Sequence, residues 1–249
     1  MNAAPPLISV AKIRKSFGSN KALDGISTHF SSGITGLIGP NGSGKTTLIN
    51  ILCGALKPDA GSIEIFGRDV VGQGQHEIAR LGVARTFQTP AVFPHMTVFD
   101  NVAAGLSPEG LMSNLRSRRH SAREVCECLA VVGIEGRQFD EATDLPLGEL
   151  RRLELARAIA RRPKFLLLDE PASGMTPVET DSLVATIADI AERGVAVLIV
   201  EHKLEVVMSL SERILVLERG KVISDGAPET VQSDPVVRDA YLGFGGLDA

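Results

Sequence analysis

The residues Gly39, Pro40, Asn41, Gly42, Ser43, Gly44, Lys45, Thr46 and Thr47 follow one another in the order of a phosphate-binding loop: Gly, four residues, Gly, Lys, then Ser or Thr. Glycines let the backbone wrap closely around an anion, and successive N–H groups at a helix N-terminus stabilise phosphate oxygens. Lys45 has the reach for β- and γ-phosphates, and the Thr46 hydroxyl suits Mg²⁺. A second set lies far along the chain, where the apolar run Phe165–Leu168 ends in Asp169 and Glu170. A carboxylate ending a strand beside such a loop can hold Mg²⁺ directly or through water. The next carboxylate, Glu170, is placed to orient or deprotonate the water that attacks the γ-phosphate. General-base help of that kind contributes roughly 10²–10⁴-fold. Gln88 and His202 are ordinary residues taken singly, a surface amide and a structural imidazole. Beside the first two sets, Gln88 can see the metal shell, and His202, just past an apolar strand, can contact the γ-phosphate.

These side chains need a scaffold, and the hydrophobic pattern supplies one. Ile34–Ile38 alternates like a short strand, and Leu48, Ile51, Leu52, Ala55 and Leu56 recur at helical spacing after the loop. Residues 7–30, broken at Gly18 and Gly25, read as an antiparallel β layer joined by a strand in Gly61–Gly67. Helical signals dominate from Thr97 to Ile134. There Ser121-Ala-Arg-Glu124 predicts a capping box opening a helix over Val125–Val132, which Gly133 closes. Phe165–Asp169, Val195–Val200 and Ile214–Glu218 are continuous apolar runs, as in parallel strands buried on both faces. A helix carrying Leu183, Val184, Ile187, Ala188 and Ala191 lies between the first two and ends at Gly194. Gly220 and Asp225-Gly226 punctuate a closing hairpin, and Pro228 and Pro235 each open a short helix. The expected organisation is one α/β domain over residues 7–243. Its core is 7–88 and 155–226, with a helical subdomain at 89–154 and terminal helices at 227–243.

Composition narrows the function further. The chain has 249 residues, 44% hydrophobic and 22% charged, enough for a sizeable core. Its net charge of −4 argues against a nucleic-acid partner. Arg116-Ser-Arg-Arg-His120 is a local basic exception, read as a solvated helix end or loop, with anionic lipid contact as the other reading. Three cysteines make no disulfide framework, and Cys128 shares a helical stripe with Val125, Leu129 and Val132, a core pattern that fits a reducing compartment. Met1–Pro6 has no secretion-signal character, and the apolar run Val195–Val200 is too short to span a bilayer, so a membrane role is expected to be peripheral.

One stretch narrows the class. Leu145-Pro-Leu-Gly-Glu-Leu-Arg-Arg-Leu-Glu-Leu-Ala-Arg-Ala158, with the phosphate loop, Gln88, Asp169-Glu170 and His202 in that order, resembles the ATP-binding subunit of ABC transporters over nearly the whole chain. The resemblance implies a P-loop (RecA-like) ABC ATPase core with an N-terminal antiparallel β layer and an inserted α-helical subdomain. It implies ATP with Mg²⁺, metal ligands at Thr46, Gln88 and Asp169, and catalytic roles for Glu170 and His202. It also implies a head-to-tail dimer in which Leu145, Pro146, Leu147, Gly148 and Glu149 act on ATP held by the partner. The family signature usually begins Leu-Ser-Gly-Gly-Gln, so Pro146 stands where a serine hydroxyl would donate to phosphate, and proline lacks an N–H as well. Losing one hydrogen bond to a charged group costs roughly 1.5–3 kcal/mol, which predicts a weakened site that still works. ABC ATPases often stack adenine on an N-terminal tyrosine; the matching position is Phe17, whose other reading is a core residue.

Finer patterns are similar to the ATPases of branched-chain amino acid importers: Gly82-Val-Ala-Arg-Thr-Phe-Gln88, Phe93-Pro-His-Met-Thr-Val98 with Asn101, Glu170-Pro-Ala-Ser-Gly-Met175 with Pro177 and Glu179, Val200–Met208, and Asp239-Ala-Tyr-Leu-Gly243. Signatures beginning Leu-Pro also occur in that group. The implied partners are a second ATPase subunit, integral membrane permease subunits and, indirectly, a solute-binding protein, with this chain on the cytoplasmic face of the membrane. Import of urea or amides and lipopolysaccharide export are the neighbouring readings, and a soluble nucleotide-gated switch is the reading from another class.

Overall fold

The computed structural model describes residues 6–106 and 115–242. Strands β1 (Ile8–Phe17) and β2 (Asn20–Phe30) form an antiparallel hairpin. β3 (Ile34–Ile38) leads into the phosphate loop and helix α1 (Lys45–Leu52). β4 (Ala60–Ile65) and β5 (Arg68–Asp69) complete a small sheet of order β2-β1-β4-β5. Helix α2 (Gln75–Leu81) and the three-residue strand β6 (Val83–Arg85) follow.

The next segment is helical, with α3 (Val98–Ala103), α4 (Leu115–Val132) and α5 (Leu147–Ala160). The chain then alternates β7 (Phe165–Asp169), α6 (Pro177–Glu192), β8 (Ala196–Val200), α7 (Leu204–Leu210) and β9 (Arg213–Glu218). It closes with β10 (Lys221–Gly226), α8 (Pro228–Ser233) and α9 (Pro235–Leu242).

The larger sheet has the order β10-β9-β3-β8-β7-β6. Its strands β6, β7, β8, β3 and β9 run parallel, and only β10 is antiparallel to its neighbour. Every residue of β3, β7 and β8 is buried, which is why their sequences read as unbroken apolar runs. Side-chain alternation splits those runs between two cores. Leu167, Leu198 and Leu215 face the β layer and α1, packing with Ile13, Phe30 and Ile51. Leu166, Leu168 and Ile199 face the other way, against Val98, Leu129 and Leu153 of the helical segment. The phosphate loop and the strand-end carboxylates therefore hang from one rigid sheet.

The expected cap at Ser121 does not exist. Helix α4 already runs through Leu115, so Ser121 lies inside it. Residues 115–120 contain neither glycine nor proline, and Leu and Arg are strong helix formers, so nothing there stops the helix. The Arg116–His120 side chains lie outside the described residues, as does Gly243. A true capping box occurs instead at α6, where Thr176 and Glu179 bond reciprocally and Pro177 takes the first helical position.

Candidate active site

The loop after β3 is held by close packing at two glycines. A Cβ on Gly39 (φ 149°) would sit 2.1 Å from the Leu217 carbonyl oxygen, and one on Gly44 (φ 109°) 2.5 Å from that of Ala22. Both positions need positive φ and an absent side chain, which only glycine combines without strain. Lys45 turns back over its own loop, donating to the carbonyls of Gly39 (2.6 Å) and Pro40 (3.0 Å). Burial lowers the Lys45 pKa, while the carboxylates of Glu170 and Asp169 push it back up. The buried Ser43 hydroxyl has no partner among the described residues, so the loop holds an unspent donor. A cavity of about 250 Å³ opens here, lined by Phe17, Asn41, Lys45, Thr46, Glu170 and His202 among others. Phe17 is 53% exposed at its edge, which removes the core reading for that residue.

The carboxylates at the end of β7 have different surroundings. Asp169 is buried, and its Oδ2 accepts from Arg85 Nη2 at 3.0 Å. Arg85 also donates to Asn50 Oδ1 at 2.5 Å, tying α1 to β7 through β6. Glu170 adopts φ 51°, a left-handed conformation that costs a non-glycine residue about 1–3 kcal/mol. Its N–H is fixed on the Val200 carbonyl at 2.8 Å. Its carboxylate bridges two of the sequence-selected residues, with Oε1 2.7 Å from His202 Nε2 and Oε2 accepting from Gln88 Nε2 at 2.9 Å. Glu201 supports this arrangement from below: buried, it accepts the Ala172 N–H (2.6 Å) and the His202 N–H (3.2 Å). Burial raises the Glu201 pKa and the Glu170 charge adds to that, while the two amide donors oppose it.

Helix α5 reaches the same place through Gln88. Arg151 donates to the carbonyls of Phe87 (2.9 Å) and Gln88 (2.5 Å), and Glu154 accepts the N–H groups of Phe87 (2.9 Å) and Ala91 (3.2 Å). Arg157 donates to the Ala91 carbonyl. Segment 87–91 is thus bonded to α5. Pro146 is the N-cap of that helix, with φ −64° and ψ 161° and no side-chain cap. Leu145 is buried and Leu147 is 41% exposed. Glu149 pairs with Arg137 at 3.1 Å. Gly148 packs on α6, where a Cβ would meet Glu179 Oε1 at 2.5 Å. None of residues 145–149 lines the cavity at the phosphate loop.

So the sequence-selected residues fall into two places. Phe17, the loop, Gln88, Asp169, Glu170 and His202 gather at one, and the stretch 145–149 stands apart. Arg85, Arg151, Glu154 and Glu201, which hold the first group, lie inside the quoted stretches 82–88, 145–158 and 200–208, but no residue type or spacing there marks them for this role. Thr46, Gln88 and Asp169 offer hydroxyl, amide and carboxylate oxygens, the hard donors Mg²⁺ takes. Among the described residues no three of His, Cys, Asp or Glu form a metal site by themselves.

A glycine-rich loop joining a buried central strand to a helix, with two carboxylates at the end of a nearby parallel strand, defines a P-loop nucleoside-triphosphate-binding protein. The chain belongs to the ABC transporter family, which matches residues 23–173. A second family, described as branched-chain amino acid ATP-binding cassette transporter, matches residues 221–243. The high-affinity branched-chain amino acid transport ATP-binding protein BraF of Pseudomonas aeruginosa is 37% identical over 96% of this chain and 98% of its own length. LivG of Escherichia coli K12, with the same description, is 36% identical over 96% and 98%. The lipopolysaccharide export system ATP-binding protein LptB of Acidithiobacillus ferridurans is 35% identical over 95% and 97%. Among solved structures, the ADP conformation of MJ1267, an ATP-binding cassette of an ABC transporter, superposes with a TM-score of 0.85 at 30% identity, covering 96% of this chain and 100% of that one. The chain is accordingly an ATP-hydrolysing subunit of an ABC transporter. Among the described residues no helix is long and apolar enough to cross a membrane.

Proposed function

We propose that this chain powers import of branched-chain amino acids, hydrolysing ATP as one half of a head-to-tail ATPase dimer bound to the cytoplasmic side of membrane permease subunits. The observation that carries the hydrolytic part is Glu170, strained at φ 51° and held between His202 and Gln88 at the mouth of the phosphate-loop cavity. There Glu170 accepts the proton of the attacking water, His202 and Lys45 face the transferred phosphate, and Thr46, Gln88 and Asp169 would hold Mg²⁺, which would supply charge neutralisation for the phosphate oxygens. Phe17 offers an exposed face for adenine. Leu145–Glu149 cap ATP in the partner, with the N-terminus of α5 aimed at its terminal phosphate. Two findings support the amino acid class: near full-length similarity to BraF and LivG, and the match at 221–243.

Steady-state ATPase of the complex purified with its permease subunits tests the hydrolytic reading. Glu170→Gln should lower kcat at least 10²-fold while ATP still binds. Absence of turnover in the unmodified, partner-complete complex would favour a nucleotide-gated switch instead. The amino acid retained by the solute-binding partner tests the transported class: leucine, isoleucine or valine is expected, and urea or an amide overturns it.

A further inference from the structure

Phe17 ends strand β1 at the tip of a tight hairpin, paired with Asn20 across Gly18 and Ser19, with Gly18 at φ 60°. Strand β4 does not brace that tip, because its ladder with β1 stops where Arg14 meets Ala60. Asp59, the residue before β4, takes over there. Its N–H donates to the Arg14 carbonyl at 2.8 Å. Its side chain goes further, Oδ2 accepting the Ser16 N–H at 2.7 Å and Oδ1 accepting Lys15 Nζ at 2.7 Å. One residue thus bonds Arg14, Lys15 and Ser16 in turn, and its carboxylate accepts the next strand-edge N–H after the ladder has ended. Lys15 and Phe17 stand two apart in the strand, the spacing that puts side chains on one face. The anchored Lys15 ammonium sits over the Phe17 ring, 5.7 Å from its centroid, within reach of cation–π attraction. The Lys15 side chain is largely covered, while Phe17 keeps exposed surface on the cavity of the phosphate loop.

We propose that Asp59 and Lys15 are positioning residues for the base of the nucleotide: Asp59 fixes the end of β1 and the Lys15 ammonium, and that ammonium holds the Phe17 ring so that a purine stacks on its open face. A ring fixed before the base arrives loses less freedom on binding than one that turns, and that saving appears as affinity. The bond from Lys15, and after it that from the Ser16 N–H, lowers the pKa of the Asp59 carboxyl, so the clamp stays charged at physiological pH.

The proposal rests on the phosphate loop binding nucleotide with Phe17 under the adenine, and inorganic tripolyphosphate separates the ideas, since it fills the loop and carries no base. Calorimetric titration of the full chain with Mg-ATP and with Mg-tripolyphosphate gives the two affinities. Asp59→Asn and Lys15→Met should each weaken ATP about fivefold and tripolyphosphate less than about twofold, the scale of one cation–π contact. The two changes remove one device, so the double variant should bind ATP within about twofold of either single one. Unchanged ATP affinity in both single variants overturns the proposal. Equal weakening of both ligands overturns it too, because a merely structural clamp would disturb the loop and the base site alike. Phe17→Ala should erase the advantage of ATP over tripolyphosphate, and an unchanged advantage removes Phe17 as the platform and the proposal with it. Binding of neither ligand to the unmodified chain overturns the nucleotide reading itself.

Discussion

Arg85 is the ion-pair partner of Asp169 in the interior. Its guanidinium meets Asp169 at 3.0 Å and both side chains are nearly buried, so removing one partner strands the other. Breaking a buried pair in this way costs about 3–5 kcal/mol. Arg85→Met should therefore lower the urea-unfolding free energy by about that amount, and a loss under about 1 kcal/mol would show the pair to be weakly held. Glu170 makes a different demand, since its cost is in the backbone. Glycine adopts φ 51° without strain and alanine only at a cost, so Glu170→Gly should be roughly 1 kcal/mol more stable than Glu170→Ala, with turnover lost in both. Equal stabilities would mean that the backbone relaxes once the carboxylate is gone. Glu170, His202 and Asp169 were legible in the sequence because each follows an apolar strand run that marks its position. Arg85 was not: its partner is 84 residues away, and a single arginine has no period to betray it. Arg151 and Glu154 were hidden for the same reason, whereas Glu201 directly follows the Val195–Val200 run and was passed over for its neighbour His202.

Helix α5 shows what an element adds. It presents 145–149 at one end, and through Arg151 and Glu154 it grips the backbone beside Gln88. Residues 145–149 and a residue that touches Glu170 are thereby tied to one helix. Its N-cap is Pro146, whose extended φ/ψ suits a capping serine but whose side chain offers no acceptor. Pro146→Ser should stabilise the chain by about 1 kcal/mol in urea unfolding through a new bond to the Gly148 or Glu149 N–H. In the assembled complex it should also tighten ATP binding or raise the ATPase rate, with about tenfold as the scale of one charge-assisted hydrogen bond. An unchanged rate and affinity would show that water or another donor already fills the serine's place. The long buried strands and α6 with its glycine stop were readable because their periods extend over several residues. Strand β6 has three residues and no period, and α4 passes through a local capping pattern because nothing upstream breaks it.

At the scale of the molecule, the two groups of sequence-selected residues stand apart on a sheet sandwiched between two cores. The loop, Glu170 and His202 share a cavity of about 250 Å³ that includes none of residues 145–149. A single chain cannot close this cavity with its own signature residues without dismantling α5, which is fixed to segment 87–91. A second chain related by a two-fold axis can, and symmetry then closes two sites at once. Leu147, 41% exposed at the start of α5, is an apolar residue such an interface would cover. Glu170→Gln protein with ATP should double its mass in light scattering, while the same protein with ADP stays monomeric. Adding Leu147→Arg buries an unpaired charge in that interface, so the ATP-dependent dimer should disappear. Nucleotide affinity of the monomer should stay within about twofold, because Leu147 lies outside the cavity that holds ATP. Retention of the dimer in the double variant would place the contact on some other face. Loss of nucleotide binding by the monomer would mean that the signature end and the phosphate loop are not the separate halves their positions indicate.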